Sequence, residues 1–145
     1  MTLPSHEPMD IGPKHISRTT KLRHVMTPSP HTIGSDQPLS VAHRLMREHQ
    51  LRHLPVLRAG KLVGVLSQRD LFFVESLTGV DVEIDRVADA MTQDVYTAHP
   101  DDALRDIARI MATRKYGCAV VMRQGQLLGI FTVTDALRHL ADALA

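Results

Sequence analysis

The sequence lacks most of the features that announce a particular chemistry. It has one cysteine, Cys118, so no intrachain disulfide can form, which suits a reducing compartment. It has no tryptophan and only 3% aromatic residues, so any core must be aliphatic. No stretch approaches the roughly 18 consecutive apolar residues of a membrane span, and the N-terminus carries no signal-peptide apolar run. A soluble, cytoplasmic protein with no membrane association is the expectation. There is no Lys/Arg run, and 17 basic residues against 16 acidic ones leave a net charge of +1, which argues against a nucleic-acid partner. No Ser-His-Asp set, glycine-rich phosphate loop or pair of carboxylates with reason to differ in pKa can be placed. No enzymatic activity is expected.

What is present is a duplication. Met26-Thr27 recurs at Met91-Thr92, and at the same offset of 65 positions Thr32, Asp36, Leu39 and Met46 become Thr97, Asp101, Leu104 and Met111. Val56, Gly60, Leu62, Gly64 and Asp70 become Val121, Gly125, Leu127, Gly129 and Asp135. Residues 26–70 and 91–135 share 13 identities in 45 positions without a gap. Unrelated segments would share roughly 3 at ordinary residue usage. Such a repeat argues for two copies of one supersecondary unit. The chain has 145 residues, of which 43% are hydrophobic. That makes the copies halves of one module, since a lone half of about 60 residues would bury too little surface to be comfortably stable.

Residues 1–19, with Pro4, Pro8, Gly12 and Pro13, read as a flexible N-terminal arm. The first copy then occupies 20–78, a polar linker 79–86, and the second copy 87–145. Each copy reads in one order. Extended stretches at Pro30–Ile33 and Val95–Ala98 precede helices whose apolar residues recur every three or four positions: Leu39, Ala42, Leu45, Met46 and Leu104, Ile107, Ala108, Met111. Asp36 and Asp101 stand where a side-chain oxygen would cap these helices. Strands at Leu54–Arg58 and Lys61–Leu66 flank Ala59-Gly60; strands at Ala119–Arg123 and Gln126–Phe131 flank Gln124-Gly125. Two-residue links with glycine second suit type I′ hairpins. Helices at Gln68–Leu77 and Val133–Leu144 close the copies. The expected fold class is α/β (α+β), with β-α-β-β-α written twice.

Ser67-Gln68-Arg69-Asp70 and Thr132-Val133-Thr134-Asp135 carry the sharpest local signal. Structurally each is a helix start, with a hydroxyl N-cap and an acid in the first turn. Functionally the same geometry makes an anion site, because free helix N–H groups point outward beside a hydroxyl. His43, His49 and His53 cluster in sequence, but a strand begins at Leu54-Pro55 and no cysteine or acidic pair completes a ligand set, so no metal site is expected. Cys118 reads as a small buried hydrophobe rather than a nucleophile.

The order Met-Thr, helix, Leu-Pro-Val, Gly-Lys-Leu-Val-Gly-Val-Leu-Ser-x-x-Asp resembles the CBS domain, and two such motifs in tandem resemble a CBS pair, or Bateman module. The likeness runs from about Thr20 to Leu144, and the chain looks like a stand-alone CBS-pair protein. The resemblance implies repeats packed through their sheets about a pseudo-twofold axis. It also implies clefts between the repeats for adenosine-containing ligands such as AMP, ADP or ATP, with S-adenosylmethionine or NAD(H) as alternatives and no required cofactor. A homodimer is implied as well. Carried over by position, Asp70 and Asp135 would accept hydrogen bonds from ribose hydroxyls. Ser67 and Thr132 would contact ribose or phosphate oxygens. Ser29 and His31 with Arg52, His53 and Pro55 would enclose an adenine in one copy; Asp94 and Tyr96 with Cys118 and Ala119 would do so in the other. The copies are not equivalent: Arg69, a candidate phosphate partner, is replaced by Thr134 in the second copy, His53 could stack on the base or obstruct it, and Asp94 would repel phosphate if it faced the cleft. Two functions fit: a ligand-sensing regulatory module signalling to an unidentified partner protein, or a constitutive dimerisation and assembly module with no bound nucleotide.

Overall fold

The computed structural model describes residues 16–145. The expected arm at 1–19 therefore falls largely outside the described residues. The chain divides into two compact units. Among the described residues, unit 1 joins 16–29 to Tyr96–Ala145, and unit 2 is the continuous stretch Pro30–Val95.

Unit 2 is a three-stranded sheet covered by helices. Strand β2 (Ile33–Gly34) runs parallel to β3 (His53–Arg58), which pairs antiparallel with β4 (Lys61–Ser67). Helix α1 (Leu39–His49) crosses between β2 and β3, α2 (Gln68–Glu75) follows β4, and a short α3 (Val87–Ala90) ends the unit. Leu39, Ala42 and Met46 from α1 pack with Leu54, Val56, Leu66, Leu71 and Val87 in a purely aliphatic core. Full burial of a side chain such as Leu71 is worth about 1.5–3 kcal/mol.

Unit 1 repeats the plan. Strand β5 (Thr97–Ala98) runs parallel to β6 (Cys118–Arg123), which pairs antiparallel with β7 (Gln126–Thr132). Helix α4 (Leu104–Arg114) crosses between β5 and β6, and α5 (Val133–Ala143) follows β7. A fourth strand, β1 (Thr27–Pro28), is added to the free edge of β7 in antiparallel register, Thr27 opposite Ile130. A 3-10 turn, Leu22–His24, buries Leu22 and Val25 against Ile107, Met111 and Phe131. The β-α-β-β-α order thus stands twice, in a mixed α+β fold.

The hairpin links are as the sequence suggests. Ala59 and Gly60 have φ of 52° and 77°, and Gln124 and Gly125 repeat those values. Two successive left-handed residues are what a type I′ turn requires. The extended segments are shorter than expected, two residues each.

Asp36 and Asp101 do not cap their helices. The N-caps of α1 and α4 are Pro38 and Ala103, neither with a side-chain cap. Backbone carbonyls brought from elsewhere take the exposed amides instead: Leu39 N donates to Asp85 O and Ser40 N to Val82 O, both at 2.9 Å, and Leu104 N donates to Thr20 O at 2.9 Å. The segment expected as a polar linker, 79–86, is what covers the start of α1. Asp101 pairs with Arg23, and the Asp36 carbonyl accepts from the Arg86 guanidinium.

Candidate functional site

The feature common to both units is a carboxylate fixed at the start of the helix that follows the hairpin. In unit 2, Ser67 Oγ accepts from Asp70 N at 3.0 Å, and Asp70 Oδ2 accepts from Ser67 N at 3.1 Å. In unit 1, Thr132 Oγ1 accepts from Asp135 N at 3.1 Å, and Asp135 Oδ2 accepts from Thr132 N at 3.0 Å. These reciprocal capping boxes lock the carboxylates at the positive end of the helix dipole.

Each carboxylate has a further partner. Thr92 Oγ1 donates to Asp70 Oδ2 at 3.2 Å, and Thr27 Oγ1 lies 3.4 Å from Asp135 Oδ1. The threonines belong to the duplicated Met-Thr pair, whose role the sequence alone does not give; its offset of 65, the same as that of the two aspartates, is the signal that links them. The pair sits directly on the sheet. Thr92 bridges antiparallel to Val65, and Thr27 lies opposite Ile130. This close approach explains the duplicated glycines. A Cβ on Gly64 would stand 2.7 Å from Met91 Sδ and 2.9 Å from Thr92 O; on Gly129 it would stand 2.6 Å from Met26 Sδ and 2.8 Å from Thr27 O. Met, Thr, Gly and Asp recur together because they form one contact.

The units then diverge. Asp135 is 7% exposed, and its Oδ1 also receives Arg138 at 3.4 Å. Asp70 is only half-buried, and among the described residues no partner is recorded for its Oδ1. The position matching Arg138 in unit 2 is Phe73. Beside Asp70, Arg52 O accepts from Gln68 N at 2.8 Å, so the backbone of Arg52 abuts the helix start. The matching bond in unit 1 is Val133 N to Gly117 O at 3.1 Å. Arg52 and Arg69 are exposed, and neither enters an ion pair among the described residues. His53 is half-buried; burial pushes its imidazole below the ordinary value, Asp70 pulls it up and Arg52 pushes it down.

The other candidate positions distribute as follows. His31 is exposed and stacks on His49 with ring centroids 3.8 Å apart. His49 ends α1 and Gln50 turns left-handed, so His49 and His53 share no helix face. No group of three or more His, Cys, Asp or Glu placed to hold a metal occurs among the described residues. Asp94 is exposed in unit 2. In unit 1, exposed Ser29 takes a φ of 47° and donates its N–H to Leu128 O at 3.0 Å. Tyr96 stacks on Tyr116 with centroids 4.9 Å apart, and burial, then Asp102, raises its phenol pKa. Cys118 begins β6, and burial pushes its thiol up to about 12, the environment of a packed rather than a reactive sulfur. Pro55 and Ala119 are wholly buried, so neither presents a surface to a ligand in this conformation. A depression of about 420 Å³ in unit 2 lies at the hairpin end of the sheet, lined by Ser35, Asp36, Arg58 and Gly60, at the opposite end of β3 and β4 from Ser67 and Asp70.

No helix among the described residues is long and apolar enough to cross a membrane. The CBS domain family matches residues 22–76 and again residues 87–142. Inosine-5'-monophosphate dehydrogenase of Korarchaeum cryptofilum is 36% identical over 105 residues, which cover 72% of this chain but 21% of that enzyme. A crystal structure of a putative acetoin utilization protein (AcuB) from Vibrio cholerae superposes with a TM-score of 0.79 at 31% identity, covering 87% of this chain and 93% of that one. CBSX2, solved in complex with AMP, gives a TM-score of 0.72 at 25% identity over 86% of this chain and 98% of that one. The duplicated Met-Thr, Gly and Asp contact, the two β-α-β-β-α units and these matches agree: the chain belongs to the CBS domain family and carries two CBS motifs in tandem.

Proposed function

We propose that this CBS pair is a regulatory, non-enzymatic sensor of adenosine-containing nucleotides, AMP, ADP or ATP, that signals to a partner protein. The observation that carries the reading is Asp70. Its carboxylate is fixed by Ser67 and Thr92 through one oxygen, which leaves the other for a ribose hydroxyl at a half-buried position. A carboxylate oxygen held beside helix N–H groups suits a ligand that carries both a diol and a phosphate. The AMP complex of CBSX2 supports the same ligand class. Ligand would shift a conformational equilibrium only by its differential affinity for the two states. The lone, reduced cysteine supports a cytoplasmic setting.

The test is thermal unfolding of the full chain against AMP, ADP, ATP, NADH and S-adenosylmethionine, with GTP as control. A ligand at 100 times its dissociation constant stabilises by about 2.7 kcal/mol. For a chain of this size that is a rise of roughly 5–10 °C. A rise confined to adenine compounds supports the sensor; no rise at millimolar ligand overturns it.

One observation favours a second reading. Asp135 is buried and has both oxygens engaged, as a purely structural cap would. On that reading the pair is an assembly module. Self-association fits either function, and we propose a homodimer. Val133, Leu137, Leu140 and Leu144 form one exposed apolar face along α5, with Leu137 60% exposed. Its repeat mate Phe72 is also exposed, as are Phe73 and Leu77. Apolar faces at repeat-related positions suit a second copy of the same chain. Sedimentation of wild type and Leu137→Glu checks this: a dimer that turns monomeric supports it, and a wild-type monomer overturns it.

A further inference from the structure

Each unit carries an aspartate in the turn before its first long helix, Asp36 ahead of α1 and Asp101 ahead of α4. The two turns are held alike. Arg23 N donates to Pro100 O in unit 1, and Ala88 N donates to Ser35 O in unit 2, both at 2.9 Å. Arg23 and Ala88 stand at the repeat offset of 65, as do Ser35 and Pro100. What differs is the side chain that this backbone bond delivers. In unit 1 the Arg23 guanidinium pairs with the Asp101 carboxylate. In unit 2 the residue is alanine, and no partner is recorded for the Asp36 carboxylate among the described residues. Arg86 reaches the same turn but donates to the Asp36 carbonyl.

This carboxylate lies on the depression at the hairpin end of unit 2. Its volume of about 420 Å³ falls within the roughly 300–1,000 Å³ of small-molecule sites. Small residues leave it open: Gly34 and Ser35 stand where unit 1 has His99 and Pro100, and Asp36 Oδ1 is 2.9 Å from where a Cβ on Gly34 would be. Ser35 also lines the depression and is only 7% exposed. Its hydroxyl has no hydrogen-bond partner among the described residues, yet it is not sealed from solvent, as His139 Nδ1 is in unit 1. A polar group so deeply placed and unpartnered is available to a ligand. Arg58 lines the same depression, is exposed and enters no ion pair among the described residues. Two opposite charges thus line one depression without joining each other.

We propose that this depression binds a small zwitterion of the arginine class, its guanidinium on Asp36 and Ser35 and its carboxylate on Arg58. The molecule supplies its own precedent for the first contact, Arg23 on Asp101. A guanidinium and a carboxylate meet through two parallel hydrogen bonds, which favours a guanidinium over an ammonium at Asp36 and a carboxylate at Arg58. In unit 1 the chain's own arginine already takes the corresponding acid. The depression lies at the opposite end of β3 and β4 from Ser67 and Asp70, so the site is separate from the nucleotide reading.

The experiment is isothermal titration of the full chain with L-arginine, L-citrulline and agmatine. Citrulline carries a neutral ureido group in place of the guanidinium, and agmatine keeps the guanidinium but lacks the carboxylate. Arginine should bind wild type about tenfold or more tightly than either. Asp36→Asn should weaken arginine binding by about tenfold or more. Ala88→Arg should abolish it, because the installed guanidinium would take Asp36 as Arg23 takes Asp101. Both positions are exposed, so the variants keep the fold, checked by circular dichroism. Arginine that fails to bind wild type at millimolar concentration, or binds Asp36→Asn and Ala88→Arg as it binds wild type, overturns the site. Citrulline or agmatine binding as tightly as arginine overturns the ligand class.

Discussion

Thr92 and Asp70 are joined by a hydrogen bond of 3.2 Å across 22 residues of chain, and this bond ties the lead of the second motif to the cap of the first motif's last helix. Its counterpart in unit 1, between Thr27 and Asp135, spans 108 residues and is longer, at 3.4 and 3.5 Å to the two carboxylate oxygens. The shorter bond should carry more energy. Thr92→Val should therefore lower stability by about 1 kcal/mol, and Thr27→Val by less, in urea unfolding. Equal losses would show that the threonines act through packing.

Gly64 and Gly129 should not accept a methyl group. The added Cβ would meet a backbone carbonyl, which cannot rotate away as a side chain can. Gly64→Ala and Gly129→Ala should each cost about 1–3 kcal/mol. Gly60→Ala is the control of opposite kind: nothing lies near its Cβ, and its φ of 77° alone makes the substitution costly. Chemical denaturation of the three variants checks this. A Gly64→Ala variant as stable as wild type would mean that the Met91-Thr92 segment can lift off the sheet.

The capping hydroxyls give a cleaner comparison. Ser67→Ala and Thr132→Ala should each lower stability by about 1 kcal/mol through loss of the cap. Only Ser67→Ala should also weaken adenine-nucleotide binding, because Asp70 has an oxygen to offer and Asp135 does not. Binding unchanged in Ser67→Ala would return that hydroxyl to a structural role.

Stability should fall on both sides of neutrality. His53 and His24 have imidazole pKa values lowered in the fold, first by burial. The unfolded chain therefore takes up protons first, so stability is full above the ordinary imidazole value of about 6.5 and declines as pH drops below it. Cys118 is shifted the other way, up to about 12. Its contribution is full below the ordinary thiol value of about 8.5 and declines as pH climbs beyond it. Thermal midpoints between pH 5 and 10 should pass through a plateau near neutrality. His53→Gln should flatten the acid limb and Cys118→Ala the alkaline limb. An acid limb unchanged by His53→Gln would assign it to other groups.

Much of this molecule is readable in its residues, for identifiable reasons. The hairpins announce themselves through glycine after a tolerant residue, and Ser67 and Thr132 through their acid three positions on, because these are local interactions. Asp36 and Asp101 mislead for the same reason. Their spacing is right for a cap, yet carbonyls of Asp85, Val82 and Thr20, remote in sequence, satisfy the helix instead. The pairing of Thr27 with Asp135 is likewise beyond local reading, since a two-residue strand carries no periodicity to name its neighbour. The charge difference between Arg52 and Gly117 was visible as letters; its position at the helix start came only with the register of the hairpins.

The way the chain is shared between the units has a consequence for synthesis. Unit 2 is one uninterrupted stretch of chain, so every partner it needs is present once Val95 has left the ribosome. Unit 1 is split: β1 emerges early but has no strand to join until Ile130 is made. During the interval the lead segment carries an unpaired edge and the apolar side chains of Leu22 and Val25 without their cover. Non-local pairing of this kind is slow to close. On a ribosome stalled once Val95 has cleared the exit tunnel, unit 2 should resist protease while residues 16–29 remain cleavable, and protection of that segment should come only when the last hairpin has also emerged.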